Sequence, residues 1–375
     1  MIVTPSDRST QWAATMHGHD DGALRRAHSD THASIAPLSA YRRDEREATE
    51  DAHLSPGATR SSGAGTREVD EAPDMSRTCF ERDRDRILHA SSFRRLAGKT
   101  QVFVFPEDHQ RTRMTHALEV AQVATSIARA CRLNVALTEA IALGHDCGHG
   151  PGGHASEDAF EPYLDEGYDH AVWGADVVLT PLNLCVETLD GIRYHSWSRP
   201  APASPEGEVV SWADRIAYVC HDYEDAAHVG IVSPDSLPEL VRERCGTTRR
   251  EQLAAFVNGV VDATCSNGVV GADGATADAL SAFRRFNYEH IYMRDESVAQ
   301  ADQVIRVLRA LVDHFTEAPT SLPDLGADVD AGSAEAARAA VAYVGGMTDR
   351  YAFDMAVSRL GWDPAALPRG IDLPG

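Results

Sequence analysis

Asn134-Val-Ala-Leu-Thr-Glu-Ala-Ile-Ala-Leu-Gly-His-Asp-Cys-Gly-His-Gly-Pro-Gly-Gly-His154 joins two kinds of sequence. Leu137, Ala140, Ile141 and Leu143 recur at helical spacing behind Asn134, whose side chain can accept a hydrogen bond from the first-turn amides of a helix. The run then ends in glycines, where the backbone turns away and adjacent side chains can converge instead of spreading around a helix. His145 and Asp146 stand at that turn. A corner of imidazole and carboxylate suits a divalent ion, and two more histidines, His149 and His154, follow within the same glycine loop.

The helical texture extends to both sides. Upstream, Ile87, Phe93 and Leu96 begin it, and Met114, Leu118, Ala121, Val123, Ala124, Ile127 and Ala128 continue it. Downstream, Val209, Trp212, Ile216 and Val219, then Leu253, Phe256, Val257 and Val260, then Val304, Val307, Leu308, Leu311 and Phe315 keep the same period. The expected fold is all-α, with one exception. Gln101-Val-Phe-Val-Phe105 alternates like a strand and stops at Pro106, so a short β-ribbon is expected near 101–105. Residues 1–75 hold few apolar side chains among many polar ones, too few to offset the entropy of ordering, and are expected to form a disordered polar tail. Residues 76–375 are expected to form one helical domain.

Composition narrows the function. Lys and Arg total 35 against 57 Asp and Glu, a formal net charge of -22. That charge argues against general binding of a phosphate backbone by counterion release and does not point to nucleic acid as a partner, so any nucleotide must be met by a local site. No apolar run approaches the roughly 18 residues of a membrane span. Met1 to Ala14 lacks the charged start and apolar stretch of an export signal. The seven cysteines are scattered without a CxxC pair, which fits reduced thiols and a cytoplasmic location.

A metal corner needs ligands from elsewhere in the chain. His116, on the polar side of the preceding helix, is a natural third ligand, and Asp214 could be the fourth. Asp214, Tyr218 and Asp222 follow at i, i+4 and i+8 and therefore share one helix face. Two carboxylates and a phenol on one face are costly to bury without a partner.

The order His116, His145-Asp146, Asp214 resembles the HD metal-dependent phosphohydrolase superfamily. Longer blocks are similar to the deoxynucleoside triphosphate triphosphohydrolase family, known from its dGTPase members. These are Arg82-Asp-Arg-Asp-Arg-Ile-Leu-His89, Phe93-Arg-Arg-Leu-Ala-Gly-Lys-Thr-Gln-Val-Phe103, Arg111-Thr-Arg-Met-Thr-His-Ala-Leu-Glu-Val120, Gly144-His-Asp-Cys-Gly-His149, Leu182-Asn-Leu-Cys-Val-Glu-Thr-Leu-Asp-Gly191 and Gly346-Met-Thr-Asp-Arg-Tyr-Ala352. The resemblance runs from Arg77 to Ala352. It implies an HD-domain helical bundle with a C-terminal helical extension, and hydrolysis of dGTP or another dNTP to deoxynucleoside and inorganic triphosphate.

By that resemblance His116, His145, Asp146 and Asp214 would hold one divalent ion, of Mn, Fe, Mg, Co, Ni or Zn. His154 with Glu157 would handle the proton for the departing 5′-oxygen, and His149 and His170 would stabilise phosphate. Arg113, Lys99, Arg95 and Arg350 are the candidates for the triphosphate, Gln101 for sugar or base, and Tyr218 with Asp222 for the sugar. The resemblance further implies a homo-oligomer built from dimers, up to a hexamer. The chain departs from the family where the glycine loop lacks a second proline and a phenylalanine, and where His170 is followed by Ala-Val-Trp-Gly-Ala. Two other readings are open: an HD phosphohydrolase acting on a nucleoside monophosphate, (p)ppGpp or a cyclic nucleotide, and a non-catalytic nucleotide sensor.

Overall fold

The computed structural model describes residues 6–20, 22–106, 109–323 and 329–368. The chain divides into two compact units, Met1–Tyr41 and Arg42–Gly375. In the first, Ser6 caps a short helix α1 (Asp7–Ala14), and a two-residue antiparallel pair joins β1 (His19–Asp20) to β2 (Arg25–Arg26).

The second unit is helical, as the periodicity predicts. In order it contains α2 (Arg43–His53), α3 (Cys79–His89), α4 (Ser91–Arg95), α5 (Arg113–Cys131), α6 (Val135–Gly144), α7 (Ala155–Phe160), α8 (His170–Trp173) and α9 (Val186–Arg193). The later helices are α10 (Pro205–His228), α11 (Glu239–Cys245), α12 (Arg249–Asn267), α13 (Gly274–Asn287), α14 (Asp295–Glu317), α15 (Ala334–Gly345) and α16 (Asp349–Leu360). The main core lies where α5, α6 and α10 pack together, with α3 against α6 and α12 across α5 and α10. A second apolar cluster joins α7, α14, α15 and α16. The glycine loop after α6 runs between the two.

Local chemistry sets the helix ends that matter for the site. Thr112 caps α5 through the Thr115 amide, so His116 falls in the first turn. Ser204 caps α10 and Pro205 occupies its first position, where a missing amide proton costs nothing. Asn134 caps α6 through the Leu137 amide, 3.1 Å away, as its position in the sequence predicts.

The expected ribbon at 101–105 is not a strand. Its residues form bends, and only an isolated bridge joins Thr100 to Thr112. Side-chain burial explains the difference. Phe103 packs into the main core while its neighbour Val104 packs into the second cluster, so the segment is pinned at both faces without a partner strand.

Residues 42–75, expected as part of a disordered tail, are folded onto the helical unit. Few apolar groups are needed because buried carboxylates supply the anchorage. Glu206, fully buried, accepts hydrogen bonds from the Thr59 amide at 3.1 Å, the Thr59 hydroxyl at 2.7 Å and the Asn134 amide at 2.9 Å. Glu50 accepts from the Ser61 amide at 2.7 Å and from Asn134 Nδ2 at 2.9 Å. Arg67 pairs with buried Asp83 at 2.6 Å. Asn134 thus ties this segment to α6. Asn134→Ala is expected to lower stability by about 1–3 kcal/mol, combining a lost helix cap with an under-bonded, half-buried Glu50 carboxylate. A shift in urea midpoint at unchanged slope is the measurement, and an unchanged midpoint would show that the tie contributes nothing.

Candidate active site

His116 from α5, His145 from the end of α6 and Asp214 from α10 each bring one ligand atom to within 4.8 Å of the others, and Asp146 joins His145 in an adjoining group with His195. His116 Nε2 lies 3.0 Å from Asp214 Oδ1. His145 Nε2 lies 3.4 Å from Asp146 Oδ1 and 3.7 Å from Asp214 Oδ1, and His116 Nε2 lies 3.9 Å from Asp146 Oδ2. The His145 tautomer is set from outside the cluster, because its Nδ1–H donates to the Ala142 carbonyl at 2.7 Å. That leaves the Nε2 lone pair facing the two carboxylates, and this buried atom has no hydrogen-bond partner among the described residues. A buried acceptor without a donor, opposite two anions, is a poor arrangement for protein alone and a good one for a cation. The residues therefore fit a divalent ion.

Electrostatics agree with ionised ligands. Burial would raise the Asp214 carboxyl, but the hydrogen bond from His116 and the fields of His145 and His116 hold it below the usual carboxylate range. Burial likewise opposes ionisation of Asp146, and His145, Arg113 and His149 outweigh it, so Asp146 titrates well below its ordinary value. Arg113 Nη1 donates to Asp146 Oδ2 at 2.8 Å. Its Nε and Nη2 are buried without partners among the described residues.

Gly148 and Gly153 hold the glycine loop in place. A Cβ on Gly148 would meet the His170 carbonyl oxygen at 2.0 Å, and a Cβ on Gly153, whose φ is +64°, would meet Arg113 Nη2 at 2.6 Å. The close approach at Gly148 lets the His149 and His170 rings stack, with centroids 3.8 Å apart and planes at 14°. His149 Nε2 lies 3.3 Å from Asp146 Oδ1. Burial first, then the Arg113 and His170 charges, push His149 well below the usual imidazole range.

Glu157 stands among three imidazoles. Its Oε1 accepts a hydrogen bond from His170 Nδ1 and lies 3.9 Å from His149 Nδ1, while Oε2 lies 3.8 Å from His154 Nδ1. The hydrogen bond expected for His154 is thus made by His170, and His154 itself is exposed at the mouth of the cavity. Burial disfavours a charged His170, but Glu157 overrides it and raises the imidazole. The other nitrogen, His170 Nε2, meets His195 Nε2 at 3.3 Å. His195 donates Nδ1–H to the Ile192 carbonyl, and burial with the neighbouring His145 and His170 pushes it down to about 4, so its Nε2 is an acceptor for the His170 Nε2–H.

A cavity of about 430 Å³ opens beside these groups. Asp214, Tyr218 and Asp222 line it together, as their spacing predicts, with Gln101, Arg113 and His154. Asp222 is pushed up to about 7, chiefly by burial, and accepts from the Tyr292 hydroxyl at 2.5 Å. The Tyr218 hydroxyl accepts from Arg284 Nε at 2.9 Å.

Lys99 and Arg350 are not brought to the cavity. Buried Lys99 donates to the carbonyls of His149 and Gly345, and thereby clamps the glycine loop to α15. Arg350 and Arg95 are exposed outside the cavity lining. Asp349, next to Arg350, turns inward instead and accepts from Thr100 Oγ1 at 2.6 Å and the Gly152 amide at 2.8 Å.

Sequence reasoning missed His195, Arg215, Arg284 and Tyr292. Arg215 had a usable signal, since it directly follows Asp214 on α10. Tyr288–Tyr292 form a π-helical turn after α13, a local rewinding that changes which side chains face the cavity and that apolar periodicity does not reveal.

Comparison with known proteins agrees with this geometry. The HD domain family model matches residues 113–219, and the phosphohydrolase-associated domain model matches residues 270–357. A deoxyguanosinetriphosphate triphosphohydrolase-like protein of Caldanaerobacter subterraneus is 38% identical over 317 residues, covering 82% of this chain and 93% of that protein. The protein of the same description from Clostridium perfringens strain 13 is 38% identical over 300 residues, covering 76% and 87%. That from Syntrophus aciditrophicus is 33% identical over 380 residues, covering 84% and 95%. Among the described residues no helix is long and apolar enough to cross a membrane. With an HD core whose histidines and aspartates meet in space, and relatives matched over most of both lengths, the chain belongs to the deoxyguanosinetriphosphate triphosphohydrolase-like family of HD-domain phosphohydrolases.

Proposed function

We propose that the protein hydrolyses a deoxynucleoside triphosphate to deoxynucleoside and inorganic triphosphate, with one divalent ion held by His116, His145, Asp146 and Asp214. The observation that carries this reading is the convergence of those four side chains at the edge of a cavity that also presents Tyr218 and Asp222. When bound, the ion supplies positive charge at the reacting phosphorus and lowers the pKa of a coordinated water. The names of the relatives support the reaction class, and the remaining steps follow from this chain's own residues.

Arg113 lines the cavity and keeps two buried N–H groups without partners among the described residues, so a phosphate oxygen that reaches them gains donors already desolvated. Arg215 and Arg284 line the same cavity and answer the distal phosphates of a substrate that a chain of net charge -22 would otherwise repel. Asp222 accepts a 3′-hydroxyl, and the Tyr218 ring, held by Arg284, fills the space a 2′-hydroxyl would need. A departing 5′-oxygen requires a proton. His154 at the mouth and His170 beneath it both approach Glu157, whose charge favours the protonated form of His170.

Chromatography of reactions with each dNTP and several divalent metals tests the proposal. Deoxynucleoside and triphosphate are expected in equal amounts. Monophosphate with pyrophosphate, or turnover of monophosphates alone, would replace it with another HD phosphohydrolase activity.

A further inference from the structure

Resting on the dNTP hydrolase reading, we propose that a second subsite, formed around Trp197 and Trp212, binds an aromatic base carried beyond the distal phosphates. The substrates then include polyphosphates capped by a nucleoside at both ends.

A second cavity of about 420 Å³ lies next to the catalytic one, and Trp197, Arg215, Arg284 and Tyr288 line both. The two therefore adjoin, with a pair of arginines in their common lining. Trp212 and Arg285 line the outer cavity only. In a chain with 57 acidic residues, none of Arg215, Arg284 and Arg285 has a carboxylate within ion-pair distance among the described residues, and their charge is available to an anion. A polyphosphate whose first phosphorus sits at the His-Asp cluster follows these cations outward and delivers its far end to the outer cavity.

The wall it meets there is aromatic and already fixed. The Trp197 indole N–H donates to the Ser211 carbonyl at 3.0 Å. One face of the ring is covered by the Arg215 guanidinium, 3.5 Å from the ring centroid. Trp212 stands edge-on to it, with centroids 4.8 Å apart and planes at 69°. Even so, Trp197 is 45% exposed and Tyr288 is 49% exposed. Rigid, exposed aromatic rings beside unpaired arginines recognise a base on a phosphate, since every base offers a face for stacking and every phosphate an acceptor for guanidinium. A bare triphosphate uses the arginines and leaves the indoles idle.

The chemistry on such a substrate is the same bond exchange. Water oxygen bonds to the phosphorus nearest the first deoxynucleoside, the bond from that phosphorus to the 5′-oxygen breaks, and the 5′-oxygen takes a proton. The products are a deoxynucleoside and the second nucleoside carrying all the phosphates.

The test compares the dNTP that the protein turns over best with a tetraphosphate capped at both ends by the same deoxynucleoside. Release of deoxynucleoside and deoxynucleoside tetraphosphate is expected, with a KM no higher than that of the dNTP. Trp212→Leu and Arg285→Gln should each raise KM for the capped substrate on the order of 10-fold, the loss of one stacking or charged contact. Their kcat/KM for the dNTP should change by less than about 2-fold. Arg285 is exposed, so its variant folds even where Trp212→Leu does not. Turnover of dNTPs without cleavage of the capped compound overturns the subsite, as does cleavage with KM unmoved by either substitution. Failure with every dNTP overturns the hydrolase reading instead.

Discussion

Asp146→Asn is expected to leave a folded protein that retains little divalent metal and turns over at least about 10³-fold more slowly. The amide keeps the shape of the carboxyl and an oxygen for Arg113 Nη1, so the buried guanidinium is not orphaned and the local fold persists. What is lost is the negative charge shared by His145, His149 and Arg113, which holds Asp146 ionised against the cost of its burial. Electrostatic stabilisation at a metal centre is worth several kcal/mol, and each 1.4 kcal/mol is a factor of about 10 in rate. Elemental analysis after gel filtration, circular dichroism and steady-state kinetics together decide the matter. Full metal content with a rate near that of the parent protein would remove Asp146 from the ligand set.

Which parts of this site were legible beforehand follows from where each contact originates. His145 and Asp146 are neighbours at the end of a strongly apolar helix, so local sequence carries both their placement and their isolation. Asp214, Tyr218 and Asp222 are four residues apart on a helix of 24 residues, and period alone puts them on one face. Contacts between distant segments left no such trace. Tyr292 reaches Asp222 across 70 positions through a π-helical turn, and Arg284 reaches Tyr218 across 66. Lys99 read as a phosphate ligand by its charge, yet its ammonium serves two carbonyls, and burial pushes it down to about 7. Residues 42–75 misled for a related reason. Their order rests on hydrogen bonds to half-buried Glu50 and buried Glu206, and an apolar count does not register such carboxylates.

Glu157→Gln separates the proton-handling group from the metal corner. Glutamine keeps the volume and can still accept a hydrogen bond from His170 Nδ1, so the stacked His149 and His170 rings stay in place. Its missing charge removes the influence that raises His170 against burial. The sign follows directly. With glutamate the imidazole keeps its proton to higher pH than it otherwise would; with glutamine the proton leaves at lower pH, and a histidine acting as general acid is depleted sooner. A fall in kcat of about 10²–10³-fold is expected, within the range of general acid catalysis, with the alkaline limb of the kcat profile displaced toward lower pH and metal content unchanged. His154→Asn distinguishes the two candidate acids. If His154 donates the proton, its variant loses as much kcat as Glu157→Gln; if His170 donates it, the exposed His154 is dispensable and its variant stays within a few-fold of the parent. A Glu157→Gln profile identical to that of the parent in both height and pH limb would show that this carboxylate has no part in moving the proton.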